Sequence, residues 1–210
     1  MISYTVSACN EHKELDKLLN YLRTSVRLED EIVLQLDSNT VTDEVKEVAR
    51  TYSNRIPSLK VIEFPLNKDF SKFKNNIKQH CTKEWIFNID ADEIPSDFLI
   101  DNLYNILQEN SDLDVLIVPR WNTVEGITSE HINRWRWRYD EEKRINWPDW
   151  QMRIYRNKKS IKWKNKVHEV LEGFDKYAML PDHKDFCLFH MKSISRQEKQ
   201  NNFYNSIERL

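Results

Sequence analysis

The sequence predicts an α/β fold with a mostly parallel sheet and helices on both faces. Strand-like apolar runs alternate with amphipathic helical stretches over residues 1–120, the order that gives right-handed βαβ units. Four of the six residues 84–89 are aromatic or β-branched, which is typical of a short buried strand. The length of 210 residues is enough for one full core.

Each predicted element has a local signal. The helix after the first strand repeats leucine at positions 15, 18, 19 and 22, which is the spacing of one buried helical face. The second strand ends at a polar turn over residues 37–40, and Pro65 closes the third strand. The predicted strands are Ile2–Ala8, 31–36, Leu59–Phe64, 84–89, 115–118, 151–155 and 186–189, and the predicted helices after the leucine-rich one are 42–52, 70–81, 96–108 and 197–210.

The composition excludes several kinds of protein. The 32 Lys and Arg residues nearly balance the 34 Asp and Glu residues, so no overall charge indicates a nucleic-acid or membrane partner. Only two glycines occur, which excludes a glycine-rich phosphate loop. The three cysteines are far apart, and no signal peptide or membrane span is visible. We therefore expect a cytoplasmic protein that holds any phosphate through side chains and a metal ion.

Acidic residues follow the predicted strand at 84–89. If the extended backbone continued, Asp90 and Asp92 would point to the same side and converge. Paired carboxylates suit manganese or magnesium, and ligands of open α/β sheets bind beyond the carboxyl ends of the strands. The motif is short, however, and Glu93 precedes residues typical of a helix start, so a strand-ending acidic cluster is the competing interpretation.

The second half of the sequence is rich in aromatic and basic residues. Residues 121–163 contain six of the seven tryptophans, interleaved with six arginines. Aromatic faces stack on sugars or nucleobases, and arginine pairs with phosphates. Any single tryptophan is expected to cover the sheet, but as a cluster in a long loop region they indicate an acceptor pocket.

Short motifs along nearly the whole chain have the order and spacing of one enzyme family. They are Asn10-Glu11, Asp37-Ser38 followed by Asp43, Phe70-Ser71 followed by Lys74-Asn75, Asp90-Ala91-Asp92-Glu93, Arg153-Ile154-Tyr155-Arg156, Val167-His168-Glu169 and Phe189-His190. With these motifs the chain resembles glycosyltransferase family 2 with a GT-A fold, and within it the branch related to lipopolysaccharide-core glucosyltransferases. It departs from the family pattern at Asn39, usually Gly, and at Lys74, usually Arg, which loses bidentate geometry.

The resemblance implies a metal-dependent, inverting glycosyltransferase that moves a sugar from a nucleotide diphosphate donor, expected to be a UDP-sugar, to an acceptor hydroxyl. The acceptor is expected to be a glycan or another hydroxyl-bearing molecule, a nucleic acid included. One domain, 1–210, would comprise a nucleotide-sugar half, 1–120, and an acceptor half, 121–210. The implied site residues are Asn10, Glu11, Asp37, Lys74 and Asp90 for the donor, Asp90, Asp92 and His190 for the metal, and Glu169, with Asp149 as second choice, for the catalytic base.

Two other classes of function stay open. The same fold could be a catalytically inactive module that binds a sugar nucleotide or glycan, although such a module would not need paired metal carboxylates. A nucleotidyltransferase would also combine an α/β layer with a metal. That class relies on a glycine-rich loop near the first strand, and residues 9–12 contain no glycine.

Overall fold

The structure, a computed structural model, describes residues 1–208 and confirms the predicted α/β fold. The strands are β1 (Ile2–Ala8), β2 (Glu31–Asp37), β3 (Leu59–Phe64), β4 (Trp85–Asp90), β5 (Glu93–Pro95), β6 (Val115–Glu125), β7 (Ile145–Arg156), β8 (Lys162–Lys164), β9 (Val170–Glu172), β10 (Tyr177–Met179) and β11 (Leu188–Ser193). The helices are α1 (His12–Ser25), α2 (Asp43–Ser53), α3 (Phe70–Gln79), α4 (Asp97–Glu109), α5 (Ser129–Trp135) and α6 (Ile194–Glu208), and a short 3-10 helix spans Lys184–Phe186.

Within residues 1–208 the main sheet has nine strands in the order β3-β2-β1-β4-β7-β6-β11-β5, with β10 paired to β6, and β8 and β9 form a separate pair. Strands β1 to β4 pair in parallel, as the βαβ alternation predicted. Strand β7 is antiparallel to both of its neighbours, β4 and β6. The sheet is therefore built by both halves of the chain, because β7, from the second half, lies between β4 and β6.

Alternation along β4 separates the two cores. Trp85 and Phe87 belong to the larger core, which α1, α2 and α4 cover, while Ile86 points into a second core on the other face with Tyr155 and Trp163. Residues two apart in a strand share a face, so this one apolar strand serves both layers. Side-chain oxygens cap four of the helices, from Thr42, Asp69, Ser96 and Thr128. In the described part of the chain, no helix is both long and apolar enough to cross a membrane.

Several predicted boundaries were wrong. The strand predicted over 115–118 continues to Glu125, so Trp121 lies on a strand rather than in a long loop. Trp147 and Trp150 lie on β7, and Trp163 lies on β8. The strand predicted from 186 begins two residues later, because residues 184–186 form the 3-10 helix. The closing helix starts at Ile194, earlier than predicted, and residues 209–210 of the prediction lie outside the described residues.

Candidate active site

The acidic residues after the fourth strand lie at the carboxyl edge of the parallel strands. Asp90 ends β4 and pairs in register with Ser7 near the end of β1, and Asp37 ends the adjacent β2. After the turn at residues 91–92, β5 runs antiparallel to β11, with Glu93 opposite His190. This turn brings Asp92 onto the polar face of β11, at the edge where open α/β sheets bind ligands.

Asp92 lies among three nitrogen-bearing side chains of the C-terminal segment. Its Oδ2 is 3.2 Å from His190 Nε2, 3.6 Å from Lys192 Nζ and 3.5 Å from Arg196 Nη2. His190 and Lys192 share a face of β11 because they are two residues apart, and Arg196 follows on the first turn of α6. Arg196 also contacts Glu11 and Glu14, each at 3.0 Å. Ion pairs therefore join the C-terminal segment to the residues that follow β1.

Asp90 has different partners. The strand ends at Asp90, so the extended backbone assumed from the sequence does not continue to Asp92. Asp90 Oδ2 accepts a hydrogen bond from Arg153 Nη2 at 2.6 Å, and its Oδ1 is 4.0 Å from Lys74 Nζ. Burial alone would raise the pKa of Asp90, but the Arg153 guanidinium and the Lys74 ammonium outweigh it and hold the pKa well below its usual range.

The pair that fits a divalent cation is Asp92 with His190. Two neighbouring ligands of an octahedral ion at about 2.1 Å are about 3 Å apart, close to the separation of Asp92 Oδ2 and His190 Nε2. Carboxylate oxygen is a ligand that suits manganese and magnesium, and imidazole is a ligand of divalent transition metals. Among residues 1–208, no three His, Cys, Asp or Glu side chains form a metal-binding group. The protein would thus supply two ligands and leave the others to water or substrate, while Asp90 as a third ligand stays a prediction.

Glu93 is buried beneath the site and joins its charged groups. Its Oε1 lies 2.6 Å from Arg153 Nη2 and 3.2 Å from Arg120 Nη1, and its Oε2 accepts from the backbone N–H of Asp90 at 3.0 Å. Glu93 is fully buried and Arg153 nearly so. The carboxylate that precedes the helix-start residues therefore positions Asp90 and two arginines, a role that the sequence did not predict.

Glu169 is ion-paired with Lys74, which projects from α3. Lys74 is buried, and its ammonium also lies 4.6 Å from the centre of the Trp163 ring. Burial alone would raise the pKa of Glu169, but the Lys74 ammonium and its hydrogen bond hold it below its usual range. His168 has a φ of 52°, in the left-handed region, so the backbone that leads into Glu169 is not extended. Glu169, Lys74 and Asp90 thus form one charged cluster.

Asp149 is strongly hydrogen-bonded. Its Oδ2 accepts from Arg120 Nε at 2.9 Å, from Arg120 Nη2 at 2.6 Å and from Asn122 Nδ2 at 2.7 Å, and its Oδ1 accepts from Gln151 Nε2 at 2.8 Å. Burial alone would raise the pKa of Asp149, but Arg120 and the amide donors outweigh it and lower the pKa. The arrangement stabilises the ionised carboxylate and weakens it as a proton acceptor.

The remaining predicted donor residues surround the ends of β1 and β2. Asp37 is buried, and its Oδ1 accepts from the backbone N–H groups of Asn39 and Leu66, at 3.2 and 3.0 Å. Glu11 Oε2 accepts from the backbone N–H groups of Cys9 and Asn10, at 2.8 and 3.0 Å. Asn10 itself is exposed. Asp37 and Glu11 therefore order the loops at the strand ends where the resemblance implies a nucleotide.

The aromatic residues predicted to line an acceptor pocket divide into three groups. Trp150 and Trp163 pack on the second core and cover the sheet. Trp121 and Trp147 are half-buried, with ring centres 5.3 Å apart, and the Arg144 guanidinium lies 4.7 Å from each. Trp135 and Trp137 form a third group that is also half-buried, with ring centres 4.6 Å apart. Partly accessible aromatic surface therefore lies at both half-buried pairs.

Sequence reasoning did not identify Arg120, Asn122, Arg153, Lys192 and Arg196 as site residues. Strand alternation was the available signal, because Arg120 and Asn122 share one face of β6 and Asp149 and Gln151 are likewise two apart on β7. Polar residues at every second position of a central strand indicate a buried polar layer. Neither their partners nor the order of the strands could be read from that alternation.

Known proteins resemble this chain in sequence and in fold. In sequence, the chain is 26% identical over 160 residues to the SPbeta prophage-derived glycosyltransferase SunS of Bacillus subtilis, a match of 76% of this chain and 32% of that protein. An uncharacterized glycosyltransferase of Haemophilus influenzae is 34% identical over 73 residues, or 35% of this chain and 27% of that protein. The chain thus spans about a third of the length of these curated relatives.

In structure, the chain is similar to S. aureus TarS 1-349 in complex with UDP-GlcNAc. The TM-score is 0.65 at 17% identity, covering 91% of this chain and 58% of TarS 1-349, which supports the GT-A fold. Residues 3–171 match the sequence family described as Glycosyl transferase family 2. The match covers most of the chain, and the chain therefore belongs to glycosyl transferase family 2.

Proposed function

We propose that this chain transfers a sugar from a nucleotide diphosphate donor to an acceptor hydroxyl, with a divalent cation, manganese or magnesium, and with inversion at the sugar. The observation that carries the proposal is the pairing of Asp92 with His190 at the carboxyl edge of the sheet, flanked by Lys192 and Arg196. A departing diphosphate needs positive charge beside it. A divalent cation held by Asp92 and His190, together with the Lys192 and Arg196 side chains, would supply that charge. Family membership supports the same reaction class.

Asp92 and His190 would hold the divalent cation, which when bound supplies Lewis-acid stabilisation of the departing diphosphate. Lys192 and Arg196 lie within 3.6 Å of the same Asp92 oxygen, so their charges face the position that the diphosphate would occupy. We keep Asp90 as a donor-site and metal candidate. Its contacts with Arg153 and Lys74 indicate that its part is to fix the charge balance of the site.

The nucleoside end of the donor would lie over β1 and β2, at Asn10, Glu11 and Asp37. Asp37 holds the loops at Asn39 and Leu66 in place, so it would act both by contact with the base and by shaping the surface around it. A UDP-sugar is the donor that we propose. The complex of the structurally similar TarS with UDP-GlcNAc makes that compound the first to test.

The acceptor would bind on the side of residues 121–210, where Trp121 and Trp147 offer half-buried aromatic surface. Glu169 would take the acceptor proton as the acceptor oxygen bonds to the anomeric carbon and the bond to the diphosphate breaks. For that step Glu169 must exchange its contact with Lys74, and the approaching diphosphate gives the ammonium a new partner. Positioned acid–base groups of this kind contribute about 10²–10⁴-fold in rate.

The finer family branch and the cellular compartment are also proposals. The motifs at 153–156, 167–169 and 189–190 favour the branch related to lipopolysaccharide-core glucosyltransferases. Cys9, Cys81 and Cys187 are all free thiols, which favours a reducing, cytoplasmic compartment.

Thermal unfolding with a panel of nucleotide diphosphates and sugar nucleotides, each with and without manganese, tests the donor proposal. A donor at about 100 times its Kd stabilises the fold by about 2.7 kcal/mol. We expect UDP-GlcNAc or UDP with manganese to stabilise the protein and adenine nucleotides not to. If no nucleotide stabilises it under any condition, the proposal is wrong. Detection of a transferred sugar by mass spectrometry separates the enzyme from an inactive binding module.

A further inference from the structure

A chain of hydrogen-bonded side chains runs from β7 through β6 to β11, beside Asp92. Asn122 Nδ2 donates to Asp149 Oδ2 at 2.7 Å, and Asn122 Oδ1 lies 2.7 Å from His190 Nδ1. The sheet register builds the second contact, because Asn122 and His190 are direct partners on the parallel strands β6 and β11. The three side chains thus form one connected unit from Asp149 to His190.

The orientation of the Asn122 amide follows from its partners. An ionised carboxylate only accepts hydrogen bonds, so the group of Asn122 that faces Asp149 is the NH₂ group. The amide oxygen then faces His190, and the ring nitrogen at that position, Nδ1, carries the hydrogen and donates it. The other ring nitrogen, Nε2, is left facing Asp92 Oδ2 at 3.2 Å.

Asp149 is itself held firmly. Two hydrogen bonds from Arg120 reach its Oδ2, and Gln151 donates to its Oδ1. Arg120 is in turn paired with the buried Glu93. The carboxylate that orients the Asn122 amide therefore cannot rotate without breaking several charged contacts, and the amide direction is preset.

We propose that Asn122, oriented by Asp149, is a positioning residue that fixes His190 as the Nδ1–H tautomer and keeps Nε2 free as a ligand for a divalent cation beside Asp92. The inference rests on the proposed metal pair and assigns roles to residues outside it. It makes Asp149 part of the metal-site support rather than the second candidate for the base.

The alternative tautomer would disable both ligands. If Nε2 carried the hydrogen, it would donate to Asp92 Oδ2, and that hydrogen bond would occupy the carboxylate oxygen and the ring nitrogen together. A cation would then have to break this bond before it could bind. Loss of a partner that fixes a metal-binding histidine typically costs 10–100-fold in metal affinity.

The test compares three variants of the full chain with the wild type. Asn122→Leu removes the acceptor for Nδ1 at similar size. Asn122→Thr keeps a hydroxyl that can donate toward Asp149 and accept from Nδ1, and it serves as the conservative rescue. Gln151→Leu removes an amide from Asp149 without touching the Asn122–His190 contact. Long-range ¹H–¹⁵N spectra of the metal-free protein at mildly alkaline pH report the His190 tautomer, and calorimetry with manganese alone reports affinity. If Asn122→Leu does not fold, Asn122→Ala replaces it.

We expect the Nδ1–H tautomer in the wild type, in Asn122→Thr and in Gln151→Leu, and a shift toward Nε2–H in Asn122→Leu with a 10–100-fold weaker manganese Kd. An Nε2–H tautomer in the wild type, an unchanged tautomer in Asn122→Leu, or unchanged manganese affinity in that variant overturns the inference. If the wild type binds no manganese, the proposed metal pair is wrong, and the spectra of the metal-free protein still decide whether Asn122 sets the tautomer.

Discussion

The Glu169 carboxylate, proposed as the catalytic base, is ion-paired with the buried ammonium of Lys74, which lies 95 residues earlier in the chain. Asp90 lies 4.0 Å from the same ammonium. Lys74 thus links Glu169 to the carboxylate that ends β4. If Glu169 is the base as proposed, it would be inactive until Lys74 had another partner, and donor binding and base activation would be coupled through this one side chain.

Glu169→Gln is expected to abolish sugar transfer while leaving donor binding intact. The amide keeps the shape of the side chain but cannot take a proton, so we expect turnover to fall about 10²–10⁴-fold. Steady-state kinetics and donor titration in the presence of manganese measure the two effects. Glu172→Gln is the matched control, because Glu172 is an exposed carboxylate on β9 paired with Lys164 at 3.3 Å.

The opposite pattern would reassign the base. If Asp149→Asn lost all transfer with normal manganese affinity, while Glu169→Gln remained active, Asp149 would be the base. Glu169 would then act only in positioning the acceptor or in the pairing of Lys74.

Asp92→Asn is expected to remove the metal dependence of nucleotide diphosphate binding. The change leaves the backbone turn intact but removes the charge that would face the cation beside His190. We expect the manganese-dependent part of the donor affinity to fall at least 10-fold by calorimetry, by analogy with altered metal sites. Asp101→Asn, on the exposed side of α4, controls for the loss of one negative charge. Unchanged, metal-dependent affinity in Asp92→Asn would remove this residue from the metal site.

The sequence was sufficient for the α/β class and the first half of the sheet, because each of those elements carries a strong local signal. Apolar periodicity marks α1, and dense β-branched and aromatic residues mark β1, β2 and β4. Long-range pairing carries no such signal. The insertion of β7 between β4 and β6, and the pairing of β5 with β11, depend on partners up to about a hundred residues away.

In the candidate site too, the residues could be predicted from the sequence but their contacts could not. Asp90, Asp92 and His190 could be named from motifs, since each motif is contiguous in sequence. The partners of the two aspartates could not be named from sequence. Arg153 reaches Asp90 only through the pairing of strands in the folded sheet, and Arg196 reaches Asp92 only from the start of α6. Convergence of the two aspartates was predicted from an extended backbone, and the turn after β4 replaced that geometry.

Asp37→Ala is expected to raise the KM for the donor more than it lowers turnover. In the proposed placement Asp37 contacts the nucleoside end of the donor, away from the bonds that change, so its contacts would act equally on bound substrate and transition state. The variant also frees the backbone of Leu66, and we expect a lower unfolding temperature alongside the KM effect. Glu47→Ala, on the exposed side of α2, is the control. A large turnover loss at saturating donor would contradict this placement of Asp37.

Glu93→Gln is expected to destabilise the fold strongly. Glu93 is fully buried between Arg120 and Arg153. Loss of its charge removes one ion-pair partner from each of the two guanidinium groups. Breaking a buried ion pair by removing one partner typically costs about 3–5 kcal/mol. Urea unfolding measures the free energy, with the exposed Glu109→Gln of α4 as control. A loss below about 0.5 kcal/mol, the range of ordinary surface substitutions, would show that Glu93 does not organise the buried charges.

In the acid range, the free energy of unfolding of the wild type is expected to fall more steeply with decreasing pH than that of Asp149→Asn. The folded-state pKa of Asp149 is below its usual value because Arg120 and Asn122 outweigh the effect of burial. A carboxylate with a depressed folded pKa stabilises the fold fully above its unfolded pKa, about 3.9, and loses that contribution as pH falls through the folded value. The asparagine variant has no such proton to take up. Urea unfolding from neutral pH into the acid range should therefore show a difference between the two proteins that shrinks as pH falls. A difference that stays constant over that range would mean that Asp149 has the same pKa folded and unfolded, and that its contacts with Arg120 do not stabilise the ionised form.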